Sequence, residues 1–339
     1  MNKRVLIISP YFAPANAADM QRIRMSLPYF EVEGWDADLV TVDPQYLDIS
    51  FDKLLLQSVP KTIQIHSVKA FSRKWTKWLG LGSLALRSMW FYFRKVNTLL
   101  TENHYDLIYF STTQFPVLTL GAYWKQRFGI PYVIDMQDPW HSEYYQDKPK
   151  DQRPAKHWFS YRLNKFLEPI AMRHVDGLIS VSQGYLDLLN ERYGWLTRIP
   201  QRVITFAAFQ KDIEIALNTD FKAFLPKGTR KNIVYIGRGG HDLAPAVILL
   251  LKALKLTKLQ DHQIHFYFLG TSYAADGKGE QSIAPIASKF GLTSFVTEQT
   301  DRIPFYKSLN ILSKSDALFI PGSDDANYTA SKIFPYIML

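Results

Sequence analysis

The 339-residue chain contains no cysteine. That excludes a disulfide framework, thiolate catalysis and Cys-ligated zinc, and it fits a reducing compartment. Long apolar runs are missing too. The run that follows MNKR is about five residues long and then meets Pro10 and Pro14. A signal peptide needs a longer apolar region and a spanning helix needs roughly 20 residues, so Val5 to Ile8 reads as a first buried strand. Residues 78–93 come nearest to a membrane span and still fall short of one. The expectation is a cytoplasmic protein, peripheral at most on the inner face of the cell membrane. A third absence is local: no acidic residue lies between Asp52 and Glu102, while Lys53, Lys61, Lys69, Arg73, Lys74, Lys77, Arg87, Arg94 and Lys95 fall inside. These nine cations match the whole net charge of +9, which assigns one surface to an anionic partner.

Hydrophobic residues make up 47% of the chain and charged residues 21%, enough for sizeable cores and against disorder. The length suggests two domains. Short runs of branched apolar residues alternate with helical patterns, the signature of parallel βαβ units. Strands are expected at Arg4–Ser9, Ala37–Val42, Thr62–Val68, Leu107–Phe110, Tyr132–Met136, Leu178–Val181 and Arg202–Thr205, with helices near 19–33, 78–102, 115–128, 155–174 and 184–193. RFGIP (127–131) places a Gly where a helix C-cap wants one and a Pro before the next strand. Residues 207–229 hold no clear strand and read as a linker between a first domain, 1–206, and a second, 230–339. The second series has strands at 232–237, Ile264–Leu269, near Phe295 and at Ala317–Ile320, with helices near 243–258, 281–290 and 304–314. The closing SKIFPYIML begins an apolar helix without a cap, so the second domain is expected to be incomplete.

Ligands of open α/β sheets bind beyond the carboxyl ends of the strands, so the strand-to-helix junctions are the candidate sites. SPYFAPANAADMQRIR (9–24) enters a helix that Asn16 or Asp19 can cap, with Arg22 and Arg24 on its first turns; a tight loop with surface arginines is the plainer reading. VIDMQDPWHSEYY (133–145) gathers Asp135, Gln137, Asp138, Trp140, His141 and Glu143. It suits acid–base work or a grip on sugar hydroxyls; alternatively Asp138 caps a turn and Trp140 packs between domains. No second His stands at ligand spacing, so no metal site is expected. In YIGRGGHDL (235–243), Gly237, Gly239 and Gly240 let the backbone approach an anion, and Arg238 adds a fixed charge. The glycines do not fit GxGxxG, and no acidic residue ends the next strand, which speaks against a nicotinamide dehydrogenase. FIPGSDDANYTASKIF (319–334) sets Thr329, Ser331 and Lys332 at a helix start, as a diphosphate site or as a plain cap by Ser331.

Together these phrases resemble the retaining GT-B glycosyltransferases of the family-4 type. The resemblance rests on YFAPANAADMQRI, YDLIYFSTTQFPVLTLGAYWKQRFGIPYVIDMQDPW, HVDGLISVSQGYLDLLNERYG, IVYIGRGG and PGSDDANYTASKIFPY. It implies two Rossmann-like domains facing a cleft, a nucleotide diphosphate sugar as donor substrate with no cofactor, and a glycan or lipid-linked acceptor. Transfer would proceed without metal and with retention. By position, Arg238, Gly239, Gly240, Thr329, Ser331 and Lys332 would hold the donor diphosphate, and Asp324 and Asp325 the nucleoside. Gln137 and Asp138 would stand at the reacting centre; Arg22, Asp135, Trp140 and His141 would line the acceptor side. The chain departs from the pattern in several places, among them Gln137, where the family commonly has a His after the fifth strand. Leu243 stands where the family has a Lys five residues after the Arg, Pro335 where it has a ribose-binding acid, and Ala17–Ala18 where it often has two glycines.

In this setting the basic stretch 71–95 interleaves Arg73, Lys74, Lys77, Arg94 and Lys95 with Trp75, Trp78 and Trp90. The mixture suits an anionic membrane surface, the alternative being a domain helix with aromatics inward and cations outward. No nucleic-acid-binding module accompanies it. The rival to an enzyme is a catalytically inactive GT-B-fold binding or scaffold protein.

Overall fold

A computed structural model describes residues 2–76, 82–143, 145–146, 149, 153, 157–240, 243–257, 263–272, 274, 277–322 and 330–339. The chain forms two compact units, Met1–Phe206 and Ala207–Leu339.

In the first unit the chain runs β1 (Lys3–Ile8), α1 (Met20–Val32), β2 (Trp35–Val42), β3 (Gln64–Val68), α2 (Arg73–Thr76), α3 (Leu84–Glu102) and β4 (Leu107–Ser111). It continues through α4 (Thr119–Phe128), β5 (Tyr132–Met136), α5 (His157–Met172), β6 (Gly177–Ser180), α6 (Gln183–Arg192) and β7 (Gln201–Val203). The seven strands form one parallel sheet in the order β3-β2-β1-β4-β5-β6-β7. The order reverses between β1 and β4, which makes the carboxyl ends of those strands the place for a ligand. Helices α3, α4 and α5 pack side by side. Beneath them lies a core that includes Phe110, Trp124, Tyr132 and Ile134, all fully buried. Gly129 ends α4 at φ 73° and its N–H reaches Lys125 O at 2.9 Å, the left-handed cap that a Cβ would resist.

The second unit comprises α7 (Gln210–Asn218), β8 (Lys231–Ile236), α8 (Ala244–Leu256), β9 (Ile264–Leu269), α9 (Ala284–Lys289), β10 (Val296–Gln299), α10 (Phe305–Ser313), β11 (Ala317–Leu318) and α11 (Ile333–Met338). Among the described residues its sheet has four parallel strands, β10-β9-β8-β11. The expected linker 207–229 is corrected in part, because it contains α7. That helix turns Ile213 and Ala216 inward and packs on α10. Tyr306 donates to Asp212 at 2.8 Å and Asn310 to Ala216 O at 2.9 Å. Two of the expected caps are also corrected. Asp19 sits at the N-cap of α1 without a capping bond, and Lys332 rather than Ser331 occupies the N-cap of α11, likewise without one.

Candidate functional site

At the carboxyl end of β8 the chain turns through Gly237, Arg238, Gly239 and Gly240. Gly237 N donates to Leu269 O at 2.9 Å and Gly239 N to Thr271 O at 2.7 Å, so the turn is laced to the end of β9. A Cβ at Gly237 would overlap Lys332 Cε and stand 2.7 Å from Lys332 Nζ; at Gly239 it would overlap Ser282 Oγ. Glycine thus leaves room for the end of the Lys332 side chain, which a Cβ would force to shift. The Lys332 ammonium lies 5.8 Å from the centre of the Tyr235 ring, and Tyr235 OH donates to Arg238 O at 2.9 Å. Burial, with Arg238 and Arg302 adding repulsion, lowers Lys332 to about 8. Three cations from three separate loops therefore share one field. A field of this sign suits an anionic ligand.

Arg302 follows β10 and belongs to no motif visible in the sequence; only its place just beyond a strand end marks it. Glu298 is a second residue missed from sequence. It accepts from the N–H groups of Ser282, Ile283 and Ala284 at 3.0, 2.9 and 2.7 Å and from Thr271 Oγ1 at 2.7 Å. It thereby fixes the start of α9 beside the glycine turn. Leu243, at the position of the family's Lys, is buried in the core with Tyr235 and Val247. Ser331 is half-buried beside Lys332. Thr329, Asp324 and Asp325 lie outside the described residues.

In the first unit, Asp135 is fully buried at the end of β5. Arg22 Nε donates to it at 2.6 Å and Ser111 Oγ at 3.3 Å. The other guanidinium nitrogens of Arg22 bond Thr205 O and Ile204 O, each at 2.7 Å. Arg22 is thus engaged inside the unit, tying α1 to β5 and to the chain after β7. Burial pushes the Asp135 carboxyl up and Arg22 opposes the shift. Gln137, also buried, donates to Ser111 Oγ at 3.1 Å, so Arg22, Asp135, Ser111 and Gln137 form one connected cluster. Asp138 is exposed at its edge.

Trp140 and His141 belong to a neighbouring cluster. Trp140 is buried within the unit, where it stacks on Phe115 at 5.5 Å and donates to Asn164 at 3.1 Å. The His141 ring is buried 4.7 Å from Tyr161, and burial with the Arg192 charge lowers its pKa, which keeps it neutral at pH 7. The His141 backbone is pinned twice: its N–H reaches Glu168 at 2.9 Å and its carbonyl accepts from Arg192 at 3.1 Å.

Asp19 completes the carboxyl edge. It is buried and accepts from Thr112 Oγ1 at 3.0 Å, Thr113 N at 3.2 Å and Thr113 Oγ1 at 3.3 Å, yet burial outweighs these bonds and raises its pKa. A folded-state pKa above the unfolded value makes the carboxylate destabilising once pH exceeds both. Asp19→Asn is therefore expected to raise the unfolding midpoint at pH 7, with the gain shrinking as pH falls toward 4. Denaturation at the two pH values tests this, and an equal or larger gain at the lower pH would contradict it.

The 71–95 stretch splits. Tyr92 is core, Arg87 is buried against Phe71 O and Tyr46 O, and Phe91 packs on Phe71 at 4.9 Å. Trp75 is 80% exposed and Trp90 53%. Lys74 and Arg94 are exposed, Lys95 is half-buried, and Arg73 lies 3.6 Å from Asp48. Lys77 and Trp78 lie outside the described residues. Among the described residues no helix is long and apolar enough to cross a membrane.

The fold resembles that of several solved structures. Sucrose-phosphate synthase from Thermosynechococcus elongatus matches with a TM-score of 0.59 and 16% identity, over 98% of this chain and 78% of that one. Anabaena HepE in complex with UDP-glucose matches at 0.56 and 16%, over 99% and 78%. The N-terminal domain of Candida albicans trehalose-6-phosphate phosphatase matches at 0.62 and 13%, over 99% and 80%. No curated protein matches the sequence. Residues 33–205, half of the chain, match Glycosyltransferase Family 4. With two parallel Rossmann-like sheets of the GT-B type and that match over β2 to β7 of the first, the chain is a glycosyltransferase and belongs to Glycosyltransferase Family 4.

Proposed function

We propose that the chain moves a sugar from a nucleotide diphosphate sugar, held by the second unit, to a glycan or lipid-linked acceptor on the first, without metal and with retention. The observation that carries this reading is the Lys332 side chain lying against Gly237 in the turn after β8, with Arg238 and Arg302 near enough to repel its ammonium. Such a field stabilises the diphosphate as it departs and gains negative charge, which is the main electrostatic demand of sugar transfer. Lys332 and Arg302 supply the charge that Leu243 does not. The solved complex of Anabaena HepE with UDP-glucose lends support through the shared fold. On the acceptor side, Asp138 and Gln137 flank the reacting centre, Asp135 with Arg22 sets the edge on which they stand, and Trp140 and His141 shape the adjoining wall. An acceptor carried by a lipid fits an anionic surface met through 71–95, with Arg73, Lys74, Trp75 and Arg94 outward.

A thermal-shift panel of UDP, GDP, ADP and their sugars tests the donor site. A ligand at one hundred times its Kd stabilises the folded state by about 2.7 kcal/mol, and Arg238→Ala is expected to remove most of the rise for one base. The buried Leu243 favours a second reading, a GT-B binding protein without turnover. Nucleotide binding without sugar transfer or donor hydrolysis would establish that reading; no nucleotide response at all would sink both.

A further inference from the structure

The outer surface of α5 is not that of an ordinary solvated helix. Trp158 is 66% exposed, Phe166 67% and Ile170 39%, and Arg162 and Lys165 are exposed between them. The spacing 158, 162, 166, 170 is one helical stripe. The Arg162 guanidinium rests 5.8 Å over the Trp158 ring. The one acid of α5, Glu168, is turned inward, 1% exposed and paired with Arg192, so the stripe carries cations and apolar side chains alone.

Its neighbours continue the pattern. The α4 helix has no acidic residue and exposes Tyr123 and Arg127; α3 has only Glu102, in its last turn, and exposes Trp90 and Arg94. Trp90 stacks on Phe93 at 5.8 Å, and Phe93 lies 5.0 Å from Tyr123, an aromatic chain running from α3 to α4. Large aromatics so far exposed, in a layer whose described outward charge is positive apart from Glu102 and from Glu143 at Tyr161, mark a contact surface. Both α3 and α5 follow a parallel strand, so both begin at the carboxyl edge of the sheet. Trp158 at the start of α5 therefore lies toward the edge that carries Asp135 and Gln137.

We infer that the outer stripe of α5 is a second membrane contact, seating the α3–α4–α5 layer on an anionic lipid leaflet together with Lys74, Trp75, Trp90 and Arg94. The occupant follows from charge and shape. Cations spread over three adjacent helices match a laterally uniform negative surface. Trp and Phe at helical spacing with Arg and Lys bury their rings at the headgroup level while the cations stay with the phosphates. The inference extends the membrane reading of 71–95 and is independent of the donor site.

The test is flotation with vesicles of phosphatidylcholine alone or with phosphatidylglycerol added to give a negative surface potential. The whole chain should float with the anionic vesicles, and added salt should weaken the binding. Arg162→Gln/Lys165→Gln should lower the partition by more than about tenfold, since each cation near the surface contributes about fivefold. Trp158→Ala/Phe166→Ala should lower it severalfold at any salt, whereas Val32→Ser, exposed on α1, should not. Binding lost in Trp75→Ala but unchanged in both α5 variants would overturn the role of α5. Equal binding to neutral vesicles, or no binding, would overturn the anionic leaflet. Self-association in sedimentation that the α5 variants abolish would assign the stripe to a second copy instead. Melting of each variant without ligand confirms its fold. The nucleotide panel on the same samples reports the donor site separately, so failure of either reading is recognised by itself.

Discussion

Replacing Glu168 by leucine is expected to cost the N-terminal unit about 3–5 kcal/mol, the range for removing one partner of a buried ion pair. Glu168 is 1% exposed. It pairs with Arg192, accepts from Tyr193 OH at 3.0 Å and accepts from His141 N at 2.9 Å. Leucine leaves a buried hydroxyl and a backbone N–H without their acceptor, each adding its own desolvation cost, and leaves the partly exposed Arg192 cation only its bond to the His141 carbonyl. Glu168→Gln keeps an oxygen for one or two donors and loses the charge, so it should fall between leucine and the wild type. The consequence reaches beyond stability. The same carboxylate and Arg192 hold the His141 backbone from both sides, and the loop so held begins with Gln137 and Asp138. Urea denaturation of the three proteins at pH 7 decides the matter. A loss below about 1 kcal/mol for leucine, within the range of ordinary surface substitutions and small core changes, would mean that the loop is held by other contacts.

The sheets were legible because their strands are short runs of branched and aromatic residues bounded by Gly and Pro: VLII after MNKR, YVIDM after RFGIP, IHFYFL ahead of Gly270. Each lies within two residues of its expected bounds. The α7 helix was not legible, since QKDIEIALN makes sense only against α10, through the Tyr306–Asp212 and Asn310–Ala216 bonds. Those partners are 94 residues apart. Asp19 misled for a related reason: a carboxylate at a helix start reads as a cap, yet Thr112 and Thr113 beyond β4 claim its oxygen. In the site, Arg238 and Lys332 were found through motif positions, whereas Arg302 reaches the same field from a loop with no signature. Trp140, expected on the acceptor side with packing between domains as the alternative, is buried against Phe115 and Asn164 of its own unit. Local pattern sets the elements, then, while the charge partners are set by which strand ends the topology brings together.

Lys332→Met is expected to weaken the binding of a nucleoside diphosphate about 10–100-fold at pH 7, the equivalent of one hydrogen bond to a charged group. It should also remove a pH dependence. The Lys332 ammonium is lowered to about 8 by burial and by Arg238 and Arg302. A bound diphosphate raises that value again, so above pH 8 binding must take up a proton and affinity should fall by up to about tenfold per pH unit. Below pH 8 the lysine is already charged and this contribution is flat. The unliganded protein responds with the opposite sign. A lysine whose folded pKa lies below its unfolded value binds its proton less firmly in the fold, so stability rises as pH increases from about 8 toward the ordinary lysine value. One residue thus predicts opposed trends over the same interval: the empty protein becomes firmer while its grip on the diphosphate loosens. Titration calorimetry with UDP at pH 7 and 9, beside denaturation without ligand, measures both. If Lys332→Met keeps the fall in affinity, the proton belongs to another group and Lys332 does not touch the diphosphate. If both slopes vanish together, the cation cluster after β8 is the donor site.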